Sequence, residues 1–143
     1  MKKFLLTTSV CALAACQTTS SFSLQEQLLG KTFVLQSVNG VSLQEVLGNQ
    51  FMPQNAPSLI FQPNSTIAGV AGCNRIFGPF DITNGVLKLK NGGATKMMCP
   101  PNLDKLEMQT LNLLNNGGEI NYQVNQLVIK NDLIKLIYKQ TEK

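Results

Sequence analysis

The 143-residue chain has no histidine and no tryptophan, and only 14% of it is charged. Without histidine there is no Ser-His-Asp triad, no Cys-His dyad and no His-ligated zinc or haem. So little charge argues against a disordered tail or a coiled coil, both of which are charge-rich. No apolar run reaches the ~20 residues of a spanning helix. The net charge is a modest +4. Lys88, Lys90, Lys130, Lys135 and Lys139 alternate with apolar neighbours and do not cluster with aromatics, which describes a solvated sheet face and not a nucleic-acid site. What is present is 43% hydrophobic residue content in a length that suits one domain with a sizeable core.

The amino terminus reads as a targeting segment. Met1-Lys2-Lys3 is a short basic start, Phe4 to Ala12 is apolar, and Leu13-Ala14-Ala15-Cys16 follows. This stretch resembles a bacterial lipoprotein signal, with Leu at −3, small residues at −2 and −1, and Cys at +1. The resemblance implies a signal peptide over 1–15, cleavage before Cys16 and acylation of Cys16. Each buried CH₂ of an acyl chain contributes ~0.8 kcal/mol to membrane binding, and three chains make a lasting anchor. Gln17 in place of Asp implies the outer membrane of a Gram-negative bacterium, facing the periplasm. Cleavage removes Lys2 and Lys3, so the net charge falls from +4 to +2. Residues 16–27 are polar and Ser/Thr-rich, and predict a flexible tether.

From residue 28 to 143 short apolar runs are separated by turn signals. Strands are predicted around Phe33, Leu35 and Val38; Leu59 to Phe61; Ile67 to Ala71; Ile76 to Ile82; Val86 to Leu89; Ile120, Tyr122 and Val124; and Leu127 to Ile129 with Leu133 to Tyr138. Leu103, Leu106, Thr110, Leu113 and Leu114 recur at helical spacing after Pro100-Pro101, and Asn115-Asn116-Gly117-Gly118 stops them, so one helix is expected over about 101–115. Residues 43–57 are the longest stretch without regular pattern. The expected fold is mainly β with some α: a curved antiparallel sheet or small open barrel with one packed helix.

With Cys11 in the signal and Cys16 lipidated, Cys73 and Cys99 remain. Three readings are open to them. A structural disulfide suits an oxidising compartment, and a loop of about 27 residues makes it worth ~3.5 kcal/mol. A redox-active pair lacks a Cys-x-x-Cys arrangement. A metal site lacks ligands, since two Cys without His leave tetrahedral zinc incomplete. The disulfide is the expected state, with no metal and no cofactor.

Gly69-Val70-Ala71-Gly72-Cys73-Asn74-Arg75 with Gly78 and Phe80, then Thr95-Lys96-Met97-Met98-Cys99-Pro100, then Glu107, Leu111 and Leu114, resemble the META domain family, the HslJ-type heat-shock lipoprotein group. The resemblance extends over residues 28–143. It implies a curved antiparallel sheet or small barrel with one helix, and no established catalysis. The motif residues Gly69, Gly72, Asn74, Gly78, Thr95, Met97 and Glu107 are expected to maintain the fold. The glycines suit bulges, sharp bends or close backbone approach. Asn74 is placed to fix the bend through backbone bonds. Phe33, Ile76 and Phe80 stand where the family often has Trp or Tyr, and Lys96 where Arg is common.

Three functions compete. The first is a non-enzymatic, lipid-anchored binding or structural module that binds a protein, an envelope protein among the candidates, or contributes to envelope stress tolerance. The second is a carrier holding a hydrophobic small molecule or lipid inside the barrel, with Leu59, Phe61, Ile67, Leu87 and Val128 around a void. The third is an enzyme, but Asp81, Asp104, Glu107, Glu119 and Asp132 form no compact motif.

Overall fold

The computed structural model describes residues 21–142, so the expected signal and Cys16 lie outside the described residues. Eight strands run in chain order around a barrel: β1 (Thr32–Val38), β3 (Ser58–Gln62), β4 (Thr66–Val70), β5 (Arg75–Thr83), β6 (Val86–Leu89), β8 (Gly118–Gln123), β9 (Gln126–Lys130) and β10 (Lys135–Thr141). Each neighbouring pair is antiparallel, and β1 pairs with β10 from Thr32↔Thr141 to Val38↔Leu136. That pairing closes the sheet, which removes the exposed edges an open barrel would keep. Two short strands branch off: β2 (Val41–Ser42) on β1 and β7 (Gly93–Ala94) on β5.

Alternation builds the core. Phe33, Leu35, Leu59, Phe61, Ile67, Ile76, Phe80, Leu87, Leu127, Ile129, Leu136 and Tyr138 point inward and are buried. The three-residue step from Leu35 to Val38 would break the period, but a register shift between Leu35 and Ser37 restores it. Phe61 meets Phe33 and Phe80 edge-on, with ring centroids 5.7 and 5.2 Å apart. These rings fill the middle of the barrel.

Helices cover both ends. α1 (Leu24–Leu28) starts with a capping box between Ser23 and Glu26, and buries Leu28. Gln25 donates to Ser65 in the β3–β4 turn and accepts from the Ile82 amide. The chain is thus already structured within the stretch expected to be tether. α3 (Pro101–Asn116) lies over the opposite end, and buries Leu106, Thr110, Leu113 and Leu114 along the expected stripe. Residues 43–57 are more ordered than their sequence suggests. α2 (Leu43–Leu47), capped by Ser42, buries Leu43 and Leu47, and two 3-10 turns follow. Gln50 Oε1 then accepts from the Asn102 amide, supplying α3 with the cap that Pro100 cannot provide. Among the described residues no helix is long and apolar enough to cross a membrane.

Candidate functional site

Five of the motif residues, Gly72, Asn74, Thr95, Met97 and Glu107, meet where the bend 71–74, between β4 and β5, lies under α3, and Gly69 and Gly78 lie apart on β4 and β5. Glu107 projects from α3 onto this bend and is only 7% exposed. Its Oε2 accepts from the amides of Cys73 at 3.1 Å and Asn74 at 2.7 Å, and its Oε1 accepts from Asn74 Nδ2 at 2.8 Å. Hydrogen bonds to a charged group contribute about 1.5–3 kcal/mol each, and these three replace the hydration the carboxylate loses. Among the described residues the ion pairs lie elsewhere, Lys90 with Asp81 and Lys130 with Glu119. Glu107 is therefore an anion held by N–H dipoles without a cation.

Asn74, also buried, is the hub. Its Oδ1 accepts from the Met97 amide at 2.6 Å and from Thr95 Oγ1 at 2.9 Å. Its Nδ2 also reaches the Met97 carbonyl at 3.1 Å and Cys99 Sγ at 3.2 Å. Thr95 Oγ1 in turn accepts from the Arg75 amide at 3.0 Å. A disulfide joins Cys73 to Cys99, with the Cα atoms 5.9 Å apart. The bend, the loop 95–99 and α3 are thereby tied into one unit. Met97 contributes its backbone; its side chain is 60% exposed.

The glycines act by close approach more than by unusual dihedrals. A Cβ on Gly69 would lie 2.1 Å from the Ser58 carbonyl oxygen, and one on Gly72 would lie 2.3 Å from the Leu103 carbonyl oxygen. Gly78 faces Gly92, whose Cα would be 2.7 Å from an added Cβ. Gly72 thus lets α3 sit directly on the bend, which is what brings Glu107 to the Cys73 and Asn74 amides.

The other carboxylates are scattered. Lys90 beside Asp81 holds that carboxyl below its ordinary value. Asp104 sits in the first turn of α3. The barrel interior is a packed core: Leu59, Phe61, Ile67 and Leu87 are fully buried in one cluster. Val128 points elsewhere and is half-buried. Four of the five side chains named for the carrier reading are thus core residues packed in one cluster. Sequence reasoning did not find Gln50 as the cap of α3. It also did not find α1 and α2, although Ser-Leu-Gln-Glu stands at both 23–26 and 42–45 and is the capping-box signal.

The META domain family model matches residues 26–143. Heat shock protein HslJ of Escherichia coli (strain K12) is 33% identical over 115 residues, which span 80% of this chain and 76% of that protein. A protein solved by NMR superposes with a TM-score of 0.70 at 32% identity, over 82% of this chain and 95% of that one. An NMR structure of a protein from Burkholderia xenovorans gives 0.63 at 18% identity over both whole chains. A crystal structure of a DUF4847 family protein from Bacteroides vulgatus ATCC 8482 gives 0.57 at 12% identity, over 82% and 96% of the two chains. The last two share the fold alone.

Proposed function

The chain belongs to the META domain family, and from that premise we propose that it is a heat-shock-related, non-enzymatic binding module. It is anchored to the outer membrane through acyl chains on Cys16 and faces the periplasm. The observation that carries the non-enzymatic part is the use of the motif itself. Asn74, Thr95 and Glu107 spend their polar groups on one another and on backbone. None is left aimed at an open cleft as a general acid, base or nucleophile would be. Leu13-Ala14-Ala15-Cys16 supports the anchor.

The unit has an outward face suited to a protein partner. Met98, on the loop that leaves β7, is 100% exposed. Exposed methionines on a rigid support adapt to varied apolar surfaces. Photocrosslinking from position 98 in heat-stressed cells tests this reading. The expected result is a discrete protein adduct from position 98 that is absent when the probe sits at Lys139 on the solvated sheet face. Equal labelling from both positions contradicts it.

A further inference from the structure

We infer that the reduced form of this protein binds one zinc-like cation through Cys73, Cys99 and Glu107, at a site the disulfide closes. The two Sγ atoms and a carboxylate oxygen of Glu107 all lie within 4.8 Å of one another. In the sequence the two cysteines lack further ligands; the fold brings Glu107 to them from α3. Three protein ligands with a solvent molecule in the fourth position is an open tetrahedral zinc arrangement.

The distances suit it. With bonds of about 2.3 Å to sulfur and about 2.0 Å to oxygen, a tetrahedral ion spaces S and O ligands by roughly 3.5 Å and two sulfurs by roughly 3.8 Å. Cys99 Sγ already stands 3.8 Å from Glu107 Oε2. The bonded sulfurs have to part, and Cys73 Sγ, which lies within 4.8 Å of the carboxylate, closes on it. Oε2, the oxygen near Cys99 Sγ, already accepts from both amides, and the free acceptor site is on Oε1, so metal binding requires the carboxylate to turn Oε1 toward the sulfurs. The donors from Cys73 and Asn74 orient the carboxylate as outer-shell partners orient metal ligands. Its charge is buried with no cation beside it, and a divalent ion would supply one. Both cysteines are half-buried, so an ion can reach them from solvent.

The chemistry balances. A dithiol reductant gives two electrons and two protons to the disulfide, closes its own disulfide, and leaves Cys73 and Cys99 as thiols. Zn²⁺ then displaces both thiol protons to solvent, forming two Zn–S bonds and one Zn–O bond. Oxidation and metal binding exclude each other, so the site is occupied only in chains not yet oxidised or since reduced.

Cobalt(II) titrated anaerobically into phosphine-reduced protein tests this. A one-to-one sulfur-to-cobalt charge-transfer band is expected, discharged by zinc and absent from oxidised protein and from the Cys73→Ser/Cys99→Ser variant. Glu107→Gln, confirmed folded by circular dichroism, should weaken binding roughly tenfold or more. Cadmium NMR on reduced wild type needs no variant and should report two sulfur ligands with oxygen. The inference is overturned if reduced wild type binds cobalt no better than the double serine variant. A four-sulfur cadmium signature or undiminished affinity in folded Glu107→Gln overturns it equally.

Discussion

Val124 occupies the first central position of the β8–β9 hairpin with φ of 46°, and Asn125 follows at 63°. Such a turn wants φ > 0 at both positions, where a β-branched residue is strained and Asn or Gly is at ease. The Val124 side chain is 96% exposed and packs on nothing that would offset this. Val124→Asn should stabilise the domain by about 1 kcal/mol, read as a rise of roughly 3–5 °C in a thermal melt. Tyr138 is the opposite case. Burial pushes its phenol well above the ordinary value of 10.0. The unfolded chain then releases the proton first, so the contribution of Tyr138 is complete below pH 10.0 and is lost as pH rises above it. Stability measured by urea titration should fall from there upward in the wild type, and less steeply in Tyr138→Phe.

At the scale of elements, α3 and the bend 71–74 are held together by Gly72 and Glu107. Gly72→Ala forces a methyl against the Leu103 carbonyl and Glu107 Cβ, the latter at 2.8 Å. It should cost about 2–3 kcal/mol, as overpacking does, and denaturant unfolding would measure it. Gly85→Ala, whose Cβ would meet open space although its φ is 73°, should cost less. The same elements separate what the sequence could disclose from what it could not. Strands from Phe33 to Tyr138 and the helix from Pro101 were legible because period 2 and period 3.6 are local patterns. Asn39-Gly40 and Asn84-Gly85 are among the turn signals between the apolar runs, and both pairs adopt the positive φ that Asn and Gly tolerate. Val124 reads as continuing the Ile120-Tyr122 alternation, since a valine announces no turn, and the structure puts it in the turn instead. α2 falls in a stretch without regular pattern because Gly48, Pro53 and Pro57 mask five helical residues. Gln50 reaches Asn102 across 52 positions, and Glu107 reaches Cys73 across 34. No window of sequence contains both partners of such a bond.

For the whole molecule, closure through β1 and β10 makes the two chain ends of the domain neighbours, Thr32 beside Thr141. α1 leads into this seam from the end of the barrel opposite the disulfide unit. An anchor at Cys16 would therefore enter the domain from the end away from the disulfide unit. Gly72, Asn74 and Glu107 are accounted for by the packing of α3 on the bend, while Gly69 and Gly78 permit close backbone approach at Ser58 and Gly92. Two covalent features are expected together in the protein, an acylated Cys16 and the Cys73–Cys99 disulfide. The intact mass of protein extracted from native membranes tests both at once. It should match a chain beginning at Cys16, carrying three acyl chains and lacking two hydrogens. A mass equal to the uncleaved, unacylated chain would contradict the account.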